Sequence, residues 1–81
     1  MYKVEFSKTA LNCLKRLDKS IAKMILAWIE KNLEGTDNPM IHGKGLSYDK
    51  KDIWRYRVGS YRILANIQEK RLVILLLEIG H

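Results

Sequence analysis

The segment Ile53-Trp54-Arg55-Tyr56-Arg57-Val58-Gly59-Ser60-Tyr61-Arg62-Ile63-Leu64 constrains the fold more than any other part of the chain. Aromatic and β-branched residues suit a half-buried pleated surface, and two such runs separated by Gly-Ser read as a β-hairpin. A two-residue turn at Gly59-Ser60 leaves a single register. Val58 then pairs with Tyr61, Arg57 with Arg62, Tyr56 with Ile63 and Arg55 with Leu64. Like charges placed opposite one another destabilise a sheet. Arg57 facing Arg62, with Arg55 on the same face, is therefore a costly arrangement unless a polyanion neutralises it. RNA is the first candidate for that polyanion.

The rest of the chain can be read outward from this hairpin. Tyr2, Val4 and Phe6 alternate with polar residues and predict an opening strand. Ser7 is a helix N-cap, and from Lys8 the period changes to that of a helix with Ala10, Leu11, Leu14 and Leu17 on one face. Asp18, or else Ser20, caps a second helix whose apolar stripe is Ile21, Met24, Ile25, Trp28, Ile29 and Leu33, with Gly35 as its stop. The Met and Trp stripe reads as core rather than as a ligand site. Residues 35–52 read as a loop, with the only proline, Pro39, and with Gly43, Gly45, Lys44, Lys50 and Lys51. A solvated connector and a functional loop both fit this composition; in the second reading Lys44, Lys50 and Lys51 bind RNA.

Residues 53–58, 61–68 and 72–79 form a three-stranded antiparallel meander, with a second turn at Glu69-Lys70 pairing Ile67 with Leu72. Parity puts Trp54, Tyr56, Val58, Tyr61, Ile63, Ala65, Ile67, Leu72, Ile74 and Leu76 under the helices. Arg55, Arg57, Arg62, Leu64, Asn66, Val73, Leu75, Leu77, Ile79 and His81 point the other way. The expected architecture is α+β in the order β-α-α-β-β-β, a helical hairpin on one face of a small antiparallel sheet.

At 81 residues the chain reads as one domain, residues 1–81, with a single small core. Its 47% hydrophobic content argues against disorder. The net charge of +6 favours nucleic acid, an acidic protein or an anionic surface, without choosing among them. Cys13 is the only cysteine, so no internal disulfide can form, which fits a cytoplasmic protein. Within an apolar helical pattern it reads as a plain buried thiol. The start lacks the apolar centre of a signal peptide, and the run Leu72–Leu77 is too short to span a bilayer, so no membrane partner is expected.

Several chemistries have no motif here: there is no Walker loop, dinucleotide turn, Ser-His-Asp order or clustered metal ligands. Neither a metal nor another cofactor is expected. His42, in the loop, reads as a solvated or capping residue. The arginines suit phosphate chemistry, because a guanidinium stays charged and offers a planar fork to phosphate oxygens. Cleavage of RNA through the ribose 2′-hydroxyl builds extra negative charge at phosphorus, which pre-placed donors stabilise. Arginine is a poor proton acceptor. His81 is the side chain assigned to that face with an ordinary pKa near neutrality, about 6.5, so Arg55, Arg57, Arg62 and His81 form the candidate catalytic set. A basic face that binds acidic polymers without chemistry fits the same residues.

The chain resembles the RelE/ParE superfamily of bacterial toxins over essentially its whole length. The resemblance lies in the Tyr-x-Val-x-Phe strand running into Ser-Lys, in Leu-Lys-Arg-Leu-Asp at residues 14–18, and in His42-Gly43-Lys44-Gly45-Leu46. It is most specific in Trp54-Arg55-Tyr56-Arg57-Val58-Gly59 and Tyr61-Arg62-Ile63-Leu64, and it closes with Ile79-Gly80-His81. The pattern is closer to the RelE side, and this implies a ribosome-dependent endoribonuclease that cuts messenger RNA in the A site and is neutralised by a cognate antitoxin. The family's basic pair falls on Arg55 and Arg57, and the arginine after Gly-x-Tyr on Arg62; these would hold the scissile phosphate. Some relatives carry lysines at the first two positions, one of them taken as the base, a role arginine does not fit. Relatives usually continue with one or two arginines and a tyrosine that act in catalysis or stack on the base. This chain stops at His81, so the resemblance implies weak or absent cleavage by it. The ParE-type role, inhibition of DNA gyrase without catalysis, shares the fold, and a passive module binding ribosomal RNA is a third class.

Overall fold

The hairpin forms in the register its turn dictates. In the computed structural model, which describes residues 1–46 and 53–81, β3 (Ile53–Val58) and β4 (Tyr61–Gln68) pair antiparallel with Val58 opposite Tyr61, Arg57 opposite Arg62 and Arg55 opposite Leu64. Gly59 has φ +62°, the left-handed backbone that a type II′ turn requires of its first central residue. Lys50 and Lys51 lie outside the described residues.

Around this hairpin the described residues form a five-stranded sheet in the order β1-β5-β4-β3-β2. β5 (Val73–Gly80) continues the meander. β1 (Lys3–Phe6) returns beside β5 in parallel, which corrects the expectation of a purely antiparallel sheet. The reason is topological: β1 reaches β5 only through the helices and the whole meander, so no short turn sets the two strands antiparallel. β2 (Gly43–Gly45) is an edge strand on β3, within the segment read from sequence as loop.

The helices α1 (Lys8–Arg16) and α2 (Lys19–Asn32) cover one face. Tyr56, Ile63, Ala65, Ile67, Ile74 and Leu76 meet Ala10, Ile25, Ile29 and Leu33 in a core from which water is almost fully excluded. Two stripe residues are marginal: Leu11 and Met24 are exposed, while Cys13 is half-buried at the core's edge. The Asp18 side chain makes no capping bond although the residue holds the N-cap position of α2.

The second turn is longer than expected. Ile67 pairs with Ile74 and Gln68 with Val73, so residues 69–72 make the turn and Leu72 takes a left-handed φ of +54°. Leu72 is exposed there instead of lying under the helices. A shift of two residues preserves the faces for Ile74 and Leu76. A bulge then reverses them. Leu64 pairs with Glu78 but Ala65 with Leu76, which leaves Leu77 without a partner. Two residues opposing one changes the side-chain alternation. Ile79, expected on the outer face, is therefore buried opposite Ile63, and Glu78 and Gly80 face outward.

Ser7 holds this bulge. Its Oγ accepts the Ala10 N–H at 3.0 Å, capping α1, and donates to the Leu77 carbonyl at 2.9 Å. Its own N–H donates to the Leu76 carbonyl at 2.9 Å. Ser7→Ala is expected to cost about 1 kcal/mol for the cap and about 1 kcal/mol more for the bond to the bulge. Ser7→Asp keeps the acceptor but not the donor, so denaturant titration should recover only the first part. Equal stability of the Asp variant and the parent would show that the bulge bond contributes nothing.

Candidate functional site

The outer face of the sheet collects cations because of register. Lys44 pairs with Arg55, and Arg57 with Arg62, so four cations from three strands point away from the helices. Arg57 and Arg62 are exposed and Arg55 is half-buried. Among the described residues the ion pairs are Arg71 with Glu5 and the N-terminus with Asp37, and neither involves this cluster.

Lys44 reaches the cluster through two glycines. A Cβ at Gly43 would lie 2.4 Å from the Arg55 carbonyl and 2.7 Å from the Trp54 indole. One at Gly45 would lie 2.9 Å from the same ring. The Gly-Lys-Gly sequence thus lets an edge strand lie directly on Trp54. In sequence the same glycines are equally a loop signature, which is why β2 is missed there.

Two open grooves cross the face and share Arg55. The larger, about 560 Å³, is lined by Ile41, His42, Gly43, Lys44, Arg55 and Arg57. The second, about 310 Å³, is lined by Leu46, Arg55, Arg62, Leu64, Glu78 and Gly80. His42, read from sequence as solvated or capping, is exposed, but its ring meets Trp28 edge-on at 6.1 Å. Trp28 in turn lies 5.8 Å from Tyr56. The Tyr56 hydroxyl donates to the Pro39 carbonyl at 2.6 Å, tying the segment before β2 to the core. Burial drives the Tyr56 phenol well above the ordinary tyrosine range, and the neighbouring Tyr2 adds to the effect.

The structure brings Lys44, Arg55, Arg57 and Arg62 together. His81 lies at the margin: its ring packs on Tyr61 at 4.9 Å and its Nε2 is 3.2 Å from Ser60 Oγ, while its carbonyl accepts from Arg62 Nη2 at 3.3 Å. Glu78 is the residue sequence reasoning missed. Strict alternation along β5 would put it on the helix side, and only the bulge at Leu77 turns it outward. No sequence signal marks that bulge. Among the described residues no group of three His, Cys, Asp or Glu could hold a metal, and no helix is long and apolar enough to cross a membrane.

The model of a protein family, the ParE toxin of type II toxin-antitoxin systems (parDE), matches residues 4–81. No curated protein matches the sequence. Among solved structures, the RelBE2 toxin-antitoxin complex from Mycobacterium tuberculosis is 26% identical, with a TM-score of 0.87 over 99% of this chain and 90% of that one. The isolated E. coli RelE toxin is 17% identical, with a TM-score of 0.73 over 99% and 83%. The archaeal RelE–RelB complex from Pyrococcus horikoshii OT3 is 24% identical, with a TM-score of 0.73 over 98% and 92%. These last two similarities concern the fold.

Two outcomes follow from the geometry. Arg57→Thr relieves a cross-strand repulsion and should raise stability by about 0.2–1 kcal/mol, a gain that shrinks as salt screens the charges. Calorimetry at low and high salt checks it; a loss of stability would mean that the two guanidiniums do not repel. The raised Tyr56 pKa makes a contribution to stability that is full below the unfolded value, about pH 10, and is lost as pH climbs toward the folded value. Tyr56→Phe should lower stability at neutral pH by about 1 kcal/mol and flatten the alkaline decline in melting temperature.

Proposed function

The chain belongs to the ParE toxin family of type II toxin-antitoxin systems, within the RelE/ParE superfamily, and from that premise we propose that it is an endoribonuclease toxin cutting messenger RNA in the ribosomal A site. The observation that carries this reading is the cation cluster, which has no ion pair among the described residues, above all Arg57 directly opposite Arg62. A protein that only bound another protein through this face would gain from an acidic or neutral residue at one of the two positions. A phosphodiester instead neutralises both. Arg55, Arg57 and Arg62 would take the non-bridging phosphate oxygens through charge-assisted, fork-shaped contacts. They would also stabilise the added charge of the phosphorane formed by 2′-hydroxyl attack.

Lys44, and Lys50 and Lys51 of the neighbouring segment, would follow the RNA backbone, where each neutralised phosphate releases counterions and makes binding salt-dependent. His81, beside Arg62, is a candidate to exchange protons with the leaving oxygen. The RelBE2 structure is itself a toxin-antitoxin complex, and a cognate antitoxin would bind and neutralise this toxin. A net charge of +6 would speed its association with an acidic partner. Action on the ribosome would place the protein in the cytoplasm, and the reaction needs no metal or other cofactor.

One observation favours a second reading: the family model that matches is that of the ParE toxin. In that case the protein inhibits DNA gyrase by binding and performs no catalysis. Primer extension on a defined messenger in a purified translation system, run beside a gyrase supercoiling assay, separates the two. Ribosome-dependent cuts are expected, from the chain as it stands or carrying an Arg-x-x-x-Tyr tail of the kind found in relatives. Arg57→Ala and Arg62→Ala should each slow them by roughly 10²–10³-fold. Inhibited supercoiling without cuts from either form would overturn the ribonuclease reading.

A further inference from the structure

We propose that Glu78 is the proton acceptor for the ribose 2′-hydroxyl, an assignment that rests on the ribonuclease reading above. Among the described residues it is the one carboxylate lining the two grooves of the cation face. The bulge at Leu77 puts it there: Glu78 lies opposite Leu64, which lies opposite Arg55, in one row across three strands. Arg62, two residues before Leu64 on β4, is its diagonal neighbour, at a separation long side chains bridge. A carboxylate so close to two guanidiniums would ordinarily pair with one of them. Among the described residues it forms no ion pair, and it lines one groove with both.

Gly80 sits opposite Arg62, and a Cβ placed on it would meet nothing within 4 Å. The space beside Glu78 is therefore open, and Arg62 and Arg55 line it. A phosphate held between the two arginines leaves its ribose facing the carboxylate. The other groups of the face do not suit the task. Guanidinium and ammonium groups are hydrogen-bond donors only, which leaves the arginines and Lys44 to bind phosphate. The His81 ring is turned onto Tyr61 and Ser60. A negative charge also weakens attraction for RNA, so a residue serving binding alone would not be acidic here.

The step balances without a co-reactant. The 2′-O–H bond breaks and its proton passes to the Glu78 carboxylate. The freed electron pair forms the 2′-O–P bond, and the P–O5′ bond breaks with its electrons leaving on O5′. O5′ takes up a proton from solvent, directly or relayed through His81. The products are a 2′,3′-cyclic phosphate and a 5′-hydroxyl. Glu78 later returns its proton to solvent.

The test is Glu78→Gln, an exposed substitution of equal size, measured two ways. Binding is followed on ribosomes carrying a messenger with 2′-deoxy nucleotides in the A-site codon, which cannot be cut. Cleavage is followed on the all-ribose messenger. Removing a negative charge should leave binding as tight as before or tighter, while cleavage falls by roughly 10²–10⁴-fold, the range for a lost general base. Glu78→Asp should recover part of the rate. A variant that cuts as fast as the parent or faster overturns the assignment and makes Glu78 a mere surface charge. A parallel loss of binding and cleavage also overturns it, in favour of a structural role. The comparison is made in whichever form cuts, the parent or its tailed form; if neither cuts, the ribonuclease reading itself has failed, a result distinct from the other two.

Discussion

The fold depends on how β5 serves two faces at once. Ile74, Leu76 and Ile79 all enter the core, although strict alternation would send the last of them to solvent. The unpaired Leu77 resolves this, and Ser7 fixes where the extra residue falls. One hydroxyl thereby links the start of α1, the parallel junction of β1 with β5 and the bulge. The consequence reaches the opposite side of the sheet, because the same reversal that buries Ile79 turns Glu78 and Gly80 toward the arginines.

Charge placement on that side runs against stability. Arg57 and Arg62 face each other and form no ion pair among the described residues, and Lys44 and Arg55 extend the cluster. Local rules broken without a local compensation mark functional sites. Here the compensation would come from RNA phosphates. The aromatic chain His42–Trp28–Tyr56 and the bond from Tyr56 to Pro39 do the opposite kind of work, tying the segment that leads into β2 to the rigid core.

The hairpin was fully legible in the sequence because its turn and its aromatic alternation agree, and with it the positions of Arg55, Arg57 and Arg62. The N-cap at Ser7 was legible for a similar reason: a hydroxyl precedes a change of period. What escaped depends on contacts distant in sequence. β2 looks like loop until Trp54 is seen beneath its glycines. The length of the second turn depends on Leu72 tolerating a left-handed backbone, which its side chain does not advertise. Glu78 stayed hidden because a bulge shifts parity without a compositional mark, and the parallel place of β1 depends on its contact with β5 at the far end of the chain.

The central claim is that the arginine face of the sheet binds an RNA backbone. It is tested most directly by NMR of the side-chain Nε–Hε groups while a short, uncleavable 2′-O-methyl RNA is added at low salt. The chain carries an internal control, since Arg16 and Arg71 lie away from the cluster, the latter bonded to Gln68. The account predicts that the resonances of Arg55, Arg57 and Arg62 shift together and saturate, while those of Arg16 and Arg71 stay in place. Uniform small shifts at all five arginines, or none at any, would contradict it.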